Sequence, residues 1–483
     1  MSVACIGTPV TMDRATLDAF RAADSEHLAK REIDVARMRS LDGSKCAARS
    51  NDGVALGSDG SCVDLGDSYA VAPAQDGSHG HTPLRFLPAA SSLSAAADSE
   101  AMRHATAFRA AVEALQFPAY GCGGGTGEQR AIFYMHELPQ VGFGSVIEYA
   151  MMFIARGLAI GAPLRIGRES SRAWTSPWFC GQTRAITCYF NLTGCCGVVH
   201  APGATRPLVL PRRRDPINVG ARGYNEYGSA WLSAHLARFL FDHATPRTRA
   251  ALAQRRASMP LASRWLRAPP GGASVGARGR DDLVIGLHIR RGDSCHKGRY
   301  CPANLTTSYF AAAATLRAAY GANRILLATD DAEAARLCEQ RALGFECTTQ
   351  RIERRKFESA ELIENRVAQH AEGSLSGSAV ALDALADIDM LADCDMFVLL
   401  LRSCFARVAY ALAMGRRGRP PPVISLEAPW SPYKGAKSKK GMMRMMGRDA
   451  AGLPGQPFGR LKGGRGSGWH GMRMMARPRQ GPP

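Results

Sequence analysis

The run Leu283-Val284-Ile285-Gly286-Leu287-His288-Ile289, ending in Arg290-Arg291-Gly292-Asp293, reads as a strand buried on both faces that stops abruptly in charge. Outward from it the pattern repeats. Thr307 to Tyr320 predicts a helix, Arg324-Ile325-Leu326-Leu327-Ala328-Thr329 a second strand, and Ala332 to Leu343 another helix. A further helix runs to Ala392, followed by a strand from Met396 to Leu401, a helix from Phe405 to Met414 and a strand from Val423 to Leu426. Continuous apolar strands alternating with helices predict a parallel, doubly wound sheet, here over residues 282–433. Ligand binds such a sheet outside the carboxyl ends of its strands.

Upstream, Ala131-Ile132-Phe133-Tyr134 predicts a strand, Val141 to Ser145 a tight glycine loop, and Val146 to Leu158 a helix. Pro163-Leu164-Arg165-Ile166 then resumes as strand. Ser229 to Asp242 predicts a strongly apolar helix, and Pro246 starts the next. Residues 126–270 therefore read as a second α/β domain, joined through a Pro/Gly-rich linker at 271–281. Residues 1–125 read as a leader, partly helical (Asp13 to Arg39 and Ala101 to Leu115) but mostly low in complexity, so that folding is expected to begin near Arg130. Residues 434–483 form a basic Gly/Arg/Met-rich tail.

The 483 residues are 46% apolar with a net charge of +19. The longest apolar stretch, Val146 to Leu164, is broken by Glu148 and Arg156 and is too interrupted to span a bilayer. No signal or membrane anchor is recognisable at the start of the sequence. Over half of the charge excess lies in the tail, so a nucleic-acid function is not favoured. The 14 cysteines lack metal-ligand spacing. With the sequons at Asn191 and Asn304 they favour an oxidising secretory compartment. Cys295 and Cys301 are expected to close the loop after the Arg pair. Cys394 and Cys404 bracket an extended strand, placing them roughly 30 Å apart, too far to bond.

Chemistry concentrates at the predicted strand ends. Arg290 and Arg291 are a guanidinium pair suited to a diphosphate, although either can equally form a salt bridge, one of them to Asp293. Asp330 and Asp331 end the next strand, and Asp331 can simply cap the following helix. Asp387 sits on the helix before the third strand, and Ser403 opens the helix after it, beside Arg402.

In this order, His288-Ile289-Arg290-Arg291-x-Asp293, Leu327-Ala328-Thr329-Asp330-Asp331, Asp387-Ile388-x-x-Leu391 and Ser403-x-x-x-Arg407-Val408-Ala409-Tyr410 resemble the conserved regions of the α1,6-fucosyltransferases, glycosyltransferase family 23. The Gly142-x-Gly144 loop and the helix holding Trp231 extend the resemblance over about Phe133 to Leu426. It implies a GT-B-like enzyme of two Rossmann-type domains facing a cleft, using GDP-fucose with no metal or other cofactor. On that resemblance His288 and Asp387 would bind guanine, Arg290 and Arg291 the pyrophosphate, and Ser403 the β-phosphate. Asp330 and Asp331 would shape the donor site, and Gly142 and Gly144 would let backbone approach the nucleotide. The implied acceptor is the core N-acetylglucosamine of an N-glycan on a glycoprotein, and the implied location is the Golgi. Protein O-fucosylation and an inactive GDP-sugar-binding or lectin-like module are the alternatives.

One departure from the family bears on catalysis. The family's basic Glu falls on Gly298, which leaves His296 as the proton acceptor of its loop, with Arg291 as the second catalytic residue and Glu148 as a fallback base. A metal-dependent rival would use Asp393-Cys394-Asp395, but that motif precedes its strand and so lies at the wrong edge of the sheet.

Overall fold

The computed structural model describes residues 54–56, 62–64, 84–87, 99–117, 133–135, 141–160, 163–167, 171–192, 228–266, 282–295, 301–359, 361–370 and 372–426. All of them fall within one unit, residues 1–450. The helix expected at 13–39, the 271–281 linker, His296 with its loop, and the basic tail lie outside the described residues.

In the first part of the chain, β1 (Val54–Leu56) pairs antiparallel with β2 (Cys62–Asp64). β3 (Leu84–Phe86) and α1 (Ser99–Gln116) follow. β4 (Phe133–Met135), α2 (Phe143–Ile160) and β5 (Leu164–Ile166) then form the expected β-loop-α-β unit, with β4 and β5 parallel. Short α3 (Pro177–Cys180) leads to α4 (Gly228–Asp242), α5 (Pro246–Ala257) and α6 (Pro260–Trp265). Thr245 caps α5 by accepting from the Thr248 amide at 3.2 Å, and Pro246 supplies the preset first helical φ.

The second part is built from β6 (Val284–Ile289), α7 (Gly292–Cys295), α8 (Ala311–Tyr320), β7 (Arg324–Thr329), α9 (Ala332–Glu339) and β8 (Glu346–Thr349). It continues through α10 (Ile363–Val367), α11 (Gly377–Leu391), β9 (Met396–Leu399), α12 (Cys404–Arg417) and β10 (Val423–Ser425). The sheet order is β3-β10-β9-β6-β7-β8, parallel except for β3. From β6 the chain winds outward through β7 and β8, then returns to the other side of β6 with β9. The topological switch point therefore lies between β6 and β9. Every residue of β6 and β9 is buried, as helices on both faces require.

The expected α/β class holds, with two corrections. Folding does not begin near Arg130: β3 adds an antiparallel edge to β10, and α1 buries Ala105, Phe108 and Val112. That i, i+3, i+7 stripe packs on α4, with the Phe108 and Trp231 rings 5.3 Å apart. Strand β8 was not anticipated, because Glu346-Cys347-Thr348-Thr349 is half-buried at an edge and shows no apolar run. Among the described residues, the parallel β4–β5 pair is the sheet of residues 126–270.

Three disulfides are formed among the described cysteines: Cys180–Cys188, Cys295–Cys301 and the unanticipated Cys338–Cys347. Cys394 and Cys404 are free, as their strand geometry requires. The disulfides are consistent with a secreted or lumenal protein. Asn191 and Asn304 are both exposed, and no described helix is long and apolar enough to cross a membrane.

Candidate functional site

A cleft opens at the carboxyl ends of β6, β7 and β9, on the switch point. His288 and Arg290 enter it from β6, and Ala328, Thr329 and Asp330 from β7. Arg402, Ser403, Cys404 and Phe405 come from the turn between β9 and α12. The first half adds Gly142 to Ser145, the opening turn of α2, together with Trp174. Two long helices thus present their amino ends to one space, where free amide N–H groups and the helix dipole favour an anion.

Close contacts hold these amino ends together. A Cβ on Gly144 would lie 2.5 Å from the Phe405 backbone nitrogen, so only glycine lets α2 meet α12 here. Glu148 on α2 grips Arg407 on α12 through bonds of 2.6 and 2.8 Å. Arg407 also donates to the Leu401 and Arg402 carbonyls at 3.0 and 3.1 Å, fixing the turn that presents Arg402 and Ser403. Trp174 Nε1 donates to the Val141 carbonyl at 2.8 Å and steadies the glycine loop. A buried Ser176–Ser378 exchange ties the first half to the start of α11: Ser176 N donates to Ser378 Oγ at 2.7 Å and Ser378 N to Ser176 Oγ at 3.0 Å.

Helix α11 then turns Val380, Asp383, Ala384 and Asp387, one stripe at helical spacing, toward the cleft. Burial pushes the Asp387 carboxyl up to about 7, although its Oδ1 accepts from Gln350 Nε2 at 2.6 Å. Burial also raises Asp330, whose Oδ1 accepts from the Arg291 amide at 2.9 Å. His288 is buried and stacks on Phe405, ring centroids 4.6 Å apart. Burial, aided by Arg290, lowers it to about 3, so its ring is neutral, and its buried Nδ1 has no hydrogen-bond partner. Burial raises the Cys404 thiol to about 11, which keeps it protonated.

The expected site residues divide. His288, Arg290, Asp330, Asp387, Ser403, Gly142 and Gly144 all line the cleft. Arg291 does not: adjacent residues leaving a strand face opposite ways, and its Nη1 bonds Glu333 at 2.8 Å and approaches Asp331 at 3.4 Å. Asp331 is the N-cap of α9, accepting from the Ala334 amide at 2.7 Å. Gly144 is required by the Phe405 backbone, whereas a Cβ on Gly142 would meet nothing within 4 Å. Glu148 is committed to Arg407 and does not line the cleft, which removes it as a fallback base. The Asp-x-Asp motif sits at the amino edge: Asp395 accepts from the Val284 amide at 3.0 Å, and Asp393 pairs with Arg256 and, at 2.7 Å, with Arg416.

Sequence reading missed the wall formed by Ile352, Phe357 and residues 361–364 with Arg366, together with Asp383. Glu361 and Glu364, three apart before and within α10, were the available signal. Six carboxylates (Asp293, Asp330, Glu361, Glu364, Asp383 and Asp387) share the cleft with three guanidiniums (Arg290, Arg366 and Arg402).

No family model matches the chain, and no curated protein matches it. Among solved structures it is similar to the fucosyltransferase NodZ from Bradyrhizobium, at 14% identity over 58% of this chain and 93% of that one, with a TM-score of 0.34. A NodZ alpha-1,6-fucosyltransferase soaked with GDP-fucose gives 15%, 59%, 92% and 0.33. POFUT1 in complex with GDP-fucose is more remote, at 8% identity over 40% of this chain and 49% of that one, with a TM-score of 0.24. At that level of similarity, function rests on the cleft itself.

Proposed function

We propose that the chain is a metal-independent, inverting fucosyltransferase of the α1,6 type, transferring fucose from GDP-fucose to the core N-acetylglucosamine of N-glycans. The observation that carries this reading is the convergence of His288, Arg290, Asp330, Asp387 and Ser403 with two helix amino ends in one cleft at the switch point. Ionised Asp387 is a two-point acceptor for the N1–H and exocyclic amine of guanine. His288 offers the same base a neutral ring whose Nδ1 is otherwise unpartnered. Arg290, Arg402 and Ser403, with the amino ends of α2 and α12, supply positive potential for the diphosphate and for the charge that grows on departing GDP. Arg291 acts from behind, through its backbone bond to Asp330.

In this reading residues 282–433 hold the donor and 126–270 the acceptor side, in the lumen of the Golgi. GDP titration followed by GDP-fucose turnover in EDTA tests it, with an N-glycan and a folded peptide domain offered as rival acceptors. GDP binding with EDTA-resistant transfer to the N-glycan is expected. A strict metal requirement, or transfer to the peptide alone, overturns the respective part.

A further inference from the structure

Resting on the fucosyl-transfer reading, we propose that Glu361 is the catalytic base that takes the proton of the acceptor hydroxyl. An inverting transfer needs one group in the cleft that is basic, uncommitted and open to an incoming acceptor. Four of the six cleft carboxylates are already engaged. Asp293 binds Arg290 at 2.7 Å, and Asp330 accepts from the Arg291 amide at 2.9 Å. Asp383 pairs with Arg255 at 3.0 Å and Lys356 at 3.3 Å, and Asp387 accepts from Gln350 at 2.6 Å. Glu364 is buried in the first turn of α10, where an acceptor hydroxyl has little access.

Glu361 differs from all five. It is exposed, it lines the cleft, and its side chain has no hydrogen-bond or ion-pair partner among the described residues. Its backbone is held, with the amide donating to Ser359 Oγ at 3.1 Å, so the carboxylate is free while its Cα is placed. Of the other titratable groups at hand, His288 is neutral and buried, and the Cys404 thiol keeps its proton.

The step balances without a co-reactant. The acceptor oxygen forms a bond to fucose C1 as the bond from C1 to the β-phosphate oxygen breaks, its electron pair leaving with GDP. The hydroxyl proton passes to the Glu361 carboxylate, which later releases it to solvent.

The test uses the full chain, GDP-fucose and an N-acetylglucosamine-terminated N-glycan. Glu361→Gln should lower kcat at least 100-fold and leave GDP affinity within twofold of wild type. Azide is already an anion and needs no base, so in Glu361→Ala it should restore GDP release and yield fucosyl azide, a rescue that a merely structural glutamate does not permit. His296→Ala is assayed in parallel. Glu361→Gln turnover within threefold of wild type, or a Glu361→Ala variant that azide cannot rescue, overturns the assignment, and a large kcat loss in His296→Ala alone moves the role there. Those results leave the fucosyl-transfer reading intact. A wild-type chain that does not consume GDP-fucose removes the reading and the inference together.

Discussion

Asp387 carries two opposite pH dependences. Burial lifts its carboxyl to about 7, so the folded protein holds a proton there that the unfolded chain releases near 4. Its contribution to stability is therefore full below about 4 and is lost as pH rises through about 7. On the proposed donor reading, guanine recognition needs the ionised form, so GDP affinity should rise through the same window and level off above it. Calorimetric titration between pH 5.5 and 8.5 checks this, and Asp387→Asn should weaken binding and abolish the pH dependence. A flat wild-type profile would remove Asp387 from the base site. The paired arginines give a second test at this scale. Arg290 faces the cleft while Arg291 is held by Glu333 and Asp331. Losing a charge-assisted bond to a phosphate costs about 1.5–3 kcal/mol, or roughly 10- to 150-fold in Kd. Arg290→Ala should show that loss in GDP affinity and Arg291→Ala clearly less; the reverse order would mean that Arg291 swings into the cleft.

At the scale of elements, the site is a product of how α2 meets α12. Gly144 and the Glu148–Arg407 pair belong to that meeting: Gly144 lines the cleft and also admits the Phe405 backbone, whereas Glu148, weighed as a fallback base, is held by Arg407. Each residue type suited a functional role, and only the packing showed a neighbouring backbone and a guanidinium already in place. Gly144→Ala should destabilise the protein by about 1–3 kcal/mol, because its Cβ meets rigid backbone that cannot rotate aside. Urea unfolding measures the loss, and GDP affinity should fall with it because Ser403 and Arg402 ride on the displaced turn. A neutral substitution would mean that α2 and α12 slide freely past one another. The parallel strands were legible for the opposite reason. Runs such as Arg324 to Thr329 are apolar because both faces are covered, so sequence and burial carry the same information. Edge strand β8 and the Cys338–Cys347 bridge beside it lack that signal, since half-buried polar residues look like loop.

For the whole molecule, the sheet and most of the cleft could be read from residues 282–426, where motif and strand end coincide. The wall at 352–366 could not, since Glu361 and Glu364 acquire meaning only once the chain folds back across the cleft. Of the leader, the helix at Ala101 to Leu115 could be read and α1 bears it out, whereas β3, three residues long beside low-complexity sequence, could not. Yet both are structural: β3 closes the β10 edge, and α1 buries Phe108 and Val112 completely against α4 while Glu113 pairs with His243 at 2.9 Å. Burying two such side chains is worth about 1.5–3 kcal/mol each, before the ladder and the ion pair are added. A chain lacking residues 1–117 should therefore melt below one lacking 1–82, by about 6 °C if the loss reaches about 5 kcal/mol. It should also associate, because the vacated α4 surface around Trp231 and the open β10 edge are both apolar or unpaired. Differential scanning calorimetry of the two truncations, with light scattering, decides it. Equal melting temperatures would return α1 and β3 to the leader and restore a folded boundary near Arg130.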